Sequence, residues 1–183
     1  AIQGDVSKET DCVRLVSETL DYYGKLNILQ NNVGIGPGNS GPIKITAKKW
    51  RHIIDVNLTG MFLIIKYVLP IMQKQRSGVI TNISSTISIA ENTNVRGSSG
   101  DQNKGEGQVA YQVSKTGVNA LTKSFAISQA RYGIRVNAIL PGLMETPNAI
   151  ETVIESSDIT REALIRMRNE QVPLLRKQGT AWD

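Results

Sequence analysis

The chain has 183 residues, 40% of them hydrophobic and 20% charged, and a formal net charge of +5 from 21 basic and 16 acidic side chains. This is the balance of one globular domain over residues 1–183, and with no basic block carrying interleaved aromatics it argues against nucleic acid as a partner. Cys12 is the single cysteine and His52 the single histidine, which excludes an internal disulfide and leaves metal sites and Ser-His-Asp triads without support.

In chain order, Ser7 is placed to cap a helix whose apolar positions Val13, Val16, Leu20 and Tyr23 recur at threes and fours, with Gly24 to end it. Residues 26–30 read as a short buried strand running into Asn31-Asn32-Val33-Gly34, followed by a Gly/Pro-rich loop over 35–45. A long helix is expected over 47–75, its apolar stripe made by Trp50, Ile53, Ile54, Leu58, Met61, Phe62, Ile65 and Leu69. The most apolar stretch, 61–72, is interrupted by Lys66 and Pro70, so no membrane span is expected. A strand over 79–84, a helix over 110–132 closed by Gly133, and a strand over 134–140 follow. Strands alternating with helices of these lengths imply an α/β fold, a doubly wound parallel sheet whose ligands sit at the strand carboxyl ends. The chain opens on Ala1-Ile2-Gln3 without a basic leader or apolar signal region, and cytoplasm is the expected location.

The chemistry concentrates in Tyr111-Gln112-Val113-Ser114-Lys115. Positions i and i+4 share a helix face, which brings a phenol beside an ammonium. A nearby positive charge lowers a phenol's pKa and suits it to exchange a proton with a substrate oxygen. Ser85, at the end of the preceding strand, could hydrogen-bond the reacting carbonyl or alcohol, and Ser84 is the neighbouring candidate.

Five ordered motifs, Asn31-Asn32-Val33-Gly34, Asp55-Val56-Asn57, Asn82-Ile83-Ser84-Ser85, Tyr111-x-x-x-Lys115 and Pro141-Gly142-Leu143-Met144-Glu145-Thr146, resemble those of short-chain dehydrogenases/reductases. The resemblance implies a Rossmann-like fold and hydride transfer between NAD or NADP and a secondary alcohol or ketone, of 3-oxoacyl-reductase or cyclic-alcohol-dehydrogenase type. By position it makes Tyr111 the catalytic acid or base and Lys115 its partner, also holding the nicotinamide ribose. Ser85 would orient the substrate, and Asn57 would open the helix locally so that its carbonyl holds a water leading to the lysine. Asp5 and Val6 match the adenine contact, Asn32 and Gly34 the loop beside the adenosine ribose, and Met144 and Thr146 the contacts to carboxamide and phosphates. No metal is implied. Residues 147–175 would form a substrate lid, and the two long helices would join copies into a homo-tetramer or homo-dimer. The alternative reading is a non-catalytic nucleotide- or partner-binding member of the same fold.

Two departures shape the expectations. The family's Gly-x-x-x-Gly-x-Gly turn occurs nowhere in this sequence, and Thr180-Ala181-Trp182-Asp183 has the spacing of a helix start. The chain is therefore expected to be part of a protein about 60 to 100 residues longer, and by itself to fold poorly and bind dinucleotide weakly. Ser85 and Tyr111 also stand 26 positions apart, about twice the family's spacing, so 91–108 is expected to be an inserted polar loop at the substrate entrance.

Overall fold

Three parallel strands, β1 (Ile28–Asn31), β2 (Gly78–Ile83) and β3 (Ile134–Ile139), form the central sheet in the order β1-β2-β3. The computed structural model describes residues 1–36, 42–89, 108–154, 158–180 and 182, with the backbone alone for Asn148 and Thr152. The expected inserted loop therefore lies outside the described residues, apart from Gln108 at the start of the helix that follows.

Register decides which strand residues share a face. Leu29, Ile80 and Val136 align across the sheet, as do Asn31, Asn82 and Ala138. That face carries α1 (Glu9–Tyr23), α3 (Gly60–Gln75) and α4 (Val109–Gln129). Helix α1 packs on α3, α3 on β1 and β2, and α4 on β2 and β3. Cys12 and Val16 meet Ile65, Val68 and Met72 over Ile80 in the core between them. The opposite face, with Ile28, Gln30, Arg135, Asn137 and Ile139 exposed, carries none of these helices. The sheet is thus the expected parallel α/β arrangement, with one of its two faces clad by the long helices.

The first helix starts differently from the expectation. Ser7 does not cap it; its amide and hydroxyl both donate to the Asp5 carboxylate, at 3.0 and 2.7 Å. Lys8 holds the N-cap position without a side-chain bond. An Asx turn has taken up the serine that spacing assigned to the cap. Gly24 does end the helix, at φ 69°, where a side chain would be strained.

The helix over 47–75 is two α-helical stretches, α2 (Ala47–Ile54) and α3, joined by a π-helical turn at Asp55–Thr59. A π turn takes an extra residue per turn, which rotates everything after it about the axis. The expected apolar stripe nonetheless continues beyond it, with one exception. Ile53, Met61, Ile65 and Leu69 are buried as expected, but Phe62 stands 41% exposed. With Leu58 it lines a groove of about 480 Å³ against Gly117, Ala120 and Leu121 of α4. By length and composition Ala47–Gln75 could cross a membrane, contrary to the expectation from Lys66 and Pro70. The burial of 56% of its most apolar window inside the protein is that of a core helix.

Beyond β3 the chain makes β4 (Met144–Glu145), α5 (Pro147–Ile154), α6 (Arg161–Glu170) and β5 (Gly179–Thr180). Strands β4 and β5 pair in parallel, Met144 with Gly179 and Glu145 with Thr180. Thr180, expected to open a helix, is a strand residue, because its register with Glu145 decides its conformation. Arg168 fastens α6 to this pair, donating to the Met144 carbonyl at 2.9 Å and to Gln178 Oε1 at 2.7 Å.

Candidate active site

The carboxyl ends of β1 and β2 and the N-terminal half of α4 converge, and the polar side chains gather where they meet. Asn31 donates to Asn82 Oδ1 at 2.9 Å, Asn82 donates to Thr122 Oγ1 at 2.9 Å, and Thr122 donates to the Val118 carbonyl at 2.7 Å. Asn82 is fully buried. Each amide in this relay is satisfied, which fixes the strand ends against α4.

Asn57 lies inside the π turn and is also fully buried. Its Oδ1 accepts from the Ile35 amide at 2.8 Å, and its Nδ2 donates to the Ile35 carbonyl at 3.0 Å and to Ser114 Oγ at 3.2 Å. One asparagine thereby ties the loop after β1 to α4. Ser114 passes the connection on by donating to the Tyr111 carbonyl at 2.7 Å. A Cβ built on Gly34 would stand 3.4 Å from Asn57 Oδ1 and 3.5 Å from Lys115 Nζ. The glycine thus leaves the approach to both polar atoms open.

Lys115 is 4% exposed, and its ammonium donates to the Ile83 carbonyl at 2.8 Å. Burial away from water pulls its pKa down to about 8. Its Nζ lies 5.6 Å from the centre of the Tyr111 ring. Helical spacing did bring the two together, but burial holds the Tyr111 phenol above its usual range, and what opposes that rise is a hydrogen bond with Ser85. The lowering expected from the lysine is not among the causes, and desolvation sets the direction.

The two serines separate clearly. Ser84 is 3% exposed and donates to the Lys115 carbonyl at 3.0 Å. Ser85 is half-buried; its hydroxyl faces Tyr111 and accepts from the Ile87 amide at 3.4 Å, opening a 3₁₀ turn at Thr86–Ser88. Thr86 anchors that turn to the Pro141 carbonyl through its amide at 3.1 Å.

The remaining expected positions fall into two groups. Val6 and Asn32 line a cavity of about 170 Å³ with Leu29, Val56, Gly60 and Ile64. Its mixture of apolar walls and strand-end polar groups suits a flat heteroaromatic ring. Asp5 adjoins Val6, but its carboxylate is occupied by Ser7 and held below the ordinary carboxylate range by those bonds. Met144 and Thr146 stand apart: the Met144 carbonyl is taken by Arg168, and the Thr146 hydroxyl accepts from the Ala149 amide at 3.3 Å at the start of α5. Sequence reading missed the roles of Ser114 and Thr122, whose partners lie far along the chain. The available signal was Asn31 opposite Asn82, two amides at matched places on a buried strand face.

A parallel α/β sheet with its buried polar network at the strand carboxyl ends is the architecture of nucleotide-binding enzymes. The family model described as short chain dehydrogenase matches residues 1–156, and the chain belongs to that family. It is 37% identical over 158 residues to L-fucose dehydrogenase of Mus musculus, covering 86% of this chain and 52% of that protein. It is 34% identical over 178 residues to 3-oxoacyl-(acyl-carrier-protein) reductase of Staphylococcus epidermidis, covering 96% and 63%. Among solved structures, NADP-bound ElxO superposes with a TM-score of 0.80 at 26% identity, over 98% of this chain and 64% of that one. NAD+-bound xylitol dehydrogenase superposes with a TM-score of 0.79 at 25% identity, over 97% and 66%. The chain thus spans about half the length of the mouse relative.

Proposed function

We propose that the protein is an NAD- or NADP-dependent oxidoreductase that interconverts a secondary alcohol and its ketone. The observation that carries this reading is the convergence of Tyr111, Ser85, Lys115 and Asn57 at the strand ends. Bound nicotinamide supplies or accepts the hydride. The Tyr111 phenol gives its proton to the carbonyl oxygen in reduction and takes it back in oxidation. Its raised pKa in the cofactor-free site keeps it the protonated acid. Ser85 donates to the same substrate oxygen and fixes its distance from Tyr111. Lys115, buried beside Gly34, holds the nicotinamide ribose, and Asn57 keeps loop and helix in place around it.

The residues present fit two parts of a dinucleotide. Val6 and Asn32 flank the cavity for the adenine side, with Asp5 behind it and Gly34 in the loop beside the adenosine ribose, and Lys115 serves the ribose nearer the chemistry. Met144 and Thr146 join them across the carboxamide and phosphates. The glycine-rich turn that seats the pyrophosphate in this family is not among the 183 residues. Helices α5 and α6 serve as the substrate lid, and the groove beside Phe62 joins copies into a dimer or tetramer. A reducing, cytoplasmic setting agrees with a lone buried cysteine.

Cofactor oxidation by the intact protein with a panel of ketones, 3-oxoacyl thioesters and cyclic ketones included, tests the reading. Tyr111→Phe lowers kcat by about 10²- to 10⁴-fold with cofactor binding retained. Turnover that survives the substitution contradicts the role given to Tyr111, and an unsubstituted protein that binds dinucleotide without turning over contradicts the enzyme reading.

A further inference from the structure

We propose that Ser88, held by Asn119, is a positioning residue that sets where Ser85 stands relative to Tyr111. The inference rests on the reading of Ser85 as the residue that orients substrate. Ser88 closes the 3₁₀ turn that begins at Ser85, and it contacts that residue twice, its amide donating to the Ser85 carbonyl at 3.0 Å and its hydroxyl donating to the same oxygen. A hydroxyl has one hydrogen, so with that hydrogen on Ser85 the oxygen of Ser88 meets its other neighbours as an acceptor. Asn119 Nδ2 donates to it at 2.7 Å, and the Ser84 hydroxyl approaches at 3.3 Å. The Ser88 carbonyl accepts from Thr116 Oγ1 at 3.2 Å.

All of these helix partners lie on one stripe of α4. Tyr111, Lys115 and Asn119 follow one another at intervals of four, so each stands a turn above the last. Ser84 is fastened to the Lys115 carbonyl, and Ser88 to Thr116 and Asn119. The turn carrying Ser85 is therefore latched to the helix carrying Tyr111 at successive levels, and sliding the turn along the helix would break several bonds together. Asn119 keeps this contact at a cost: its Oδ1 is buried and has no hydrogen-bond partner among the described residues. An amide turned the other way would set two acceptors, Oδ1 and the Ser88 oxygen, against each other. The orphaned carbonyl is what the donation to Ser88 requires. A serine three residues past a catalytic serine would otherwise read as a common turn former.

The test uses the intact protein with its nicotinamide cofactor and a ketone substrate. Ser88→Ala lowers kcat by about tenfold, with cofactor Kd unchanged and KM moved less than about twofold, and Ser88→Thr recovers most of the loss. Asn119→Leu lowers kcat in the same sense by a smaller factor, and serves if Ser88→Ala fails to fold. Gln73→Ala, which removes a side-chain bond between α3 and Gln129 far from the site, leaves kcat unchanged. In a Ser85→Ala background the Ser88→Ala change costs nothing further, because a positioning residue has nothing left to position. Amide exchange at Ile87, Ser88 and Ile89 rises about tenfold in Ser88→Ala, whether or not the protein turns over. An equal kcat loss in both backgrounds, or unchanged exchange, overturns the proposal. Absence of hydride transfer in the unsubstituted protein overturns the enzyme reading instead, and amide exchange then decides the latch alone.

Discussion

The two faces of the central sheet differ in what covers them and in what they carry. On one, Leu29, Ile80 and Val136 lie under α1, α3 and α4, and the row ends in the buried Asn31 and Asn82. On the other, Ile28 is 69% and Ile139 is 52% exposed, in rows that continue through Gln30, Arg135 and Asn137. Both faces come from the same strands, residue by alternate residue. The clad face turns apolar burial into rigidity, and the rigid strand ends hold Asn57, Ser85, Tyr111 and Lys115 in one constellation. The other face contributes apolar edges over which no layer lies among the described residues. The site is built by the half of the doubly wound fold that these residues complete among themselves.

The contrast is tested hardest at its centre. Ile80 is fully buried under α3, and Ile80→Ala removes contacts that a close-packed interior does not refill. It costs about 2 to 5 kcal/mol in urea unfolding. A loss under about 1 kcal/mol would mean that the clad face is loosely packed and cannot be the source of the site's rigidity.

Next in size is the polar end of the same row. Asn82→Ala leaves Asn31 Nδ2 without its acceptor and takes from Thr122 the amide that donates to it. Stranding those groups costs about 1 to 3 kcal/mol. Activity of the intact protein falls as well, because Asn82 sits two residues before Ser84, whose bond to Lys115 depends on the same strand end. An Asn82→Ala protein with unaltered stability and kcat would remove the relay from the account of the site.

How much of this was legible in the sequence follows from the range of each interaction. Tyr111 and Lys115 were readable because a helix fixes what lies four residues away. The strands were readable from short apolar runs, and their true limits fell within two residues of the expected ones. The choice between Ser84 and Ser85 rested on resemblance alone. What the structure adds is that Ser84 is tied to the Lys115 carbonyl while Ser85 faces Tyr111, a contact across 31 positions that local pattern does not encode. The π turn was not readable, because the tie that Asn57 makes inside it reaches 22 positions to Ile35 and 57 to Ser114. Ser7 failed as a cap because Asp5 takes its hydroxyl, whereas Thr180, a strand residue paired with Glu145, still accepts from the Trp182 amide at 3.3 Å. The clad face could be read from alternation, but alternation alone does not say whether a second layer lies over the other side.

The smallest effect tests that second side. In residues 1–183 expressed alone, Ile139→Ser replaces a half-exposed apolar side chain at the end of β3 without touching the core cluster. Stability should change by about 0.5 kcal/mol or less. Binding of an apolar dye and self-association, both fed by uncovered apolar surface, should fall. A loss above about 1 kcal/mol would show that something within the 183 residues covers this face. In a longer chain that contains these residues, the same substitution gives the complementary reading. A cost of about 1 kcal/mol or more there, beside a small one in residues 1–183, locates a second layer outside these residues, packed where Ile28 and Ile139 now face water. Equal small costs in both would leave the face bare in both settings, and the asymmetry would then belong to the protein itself.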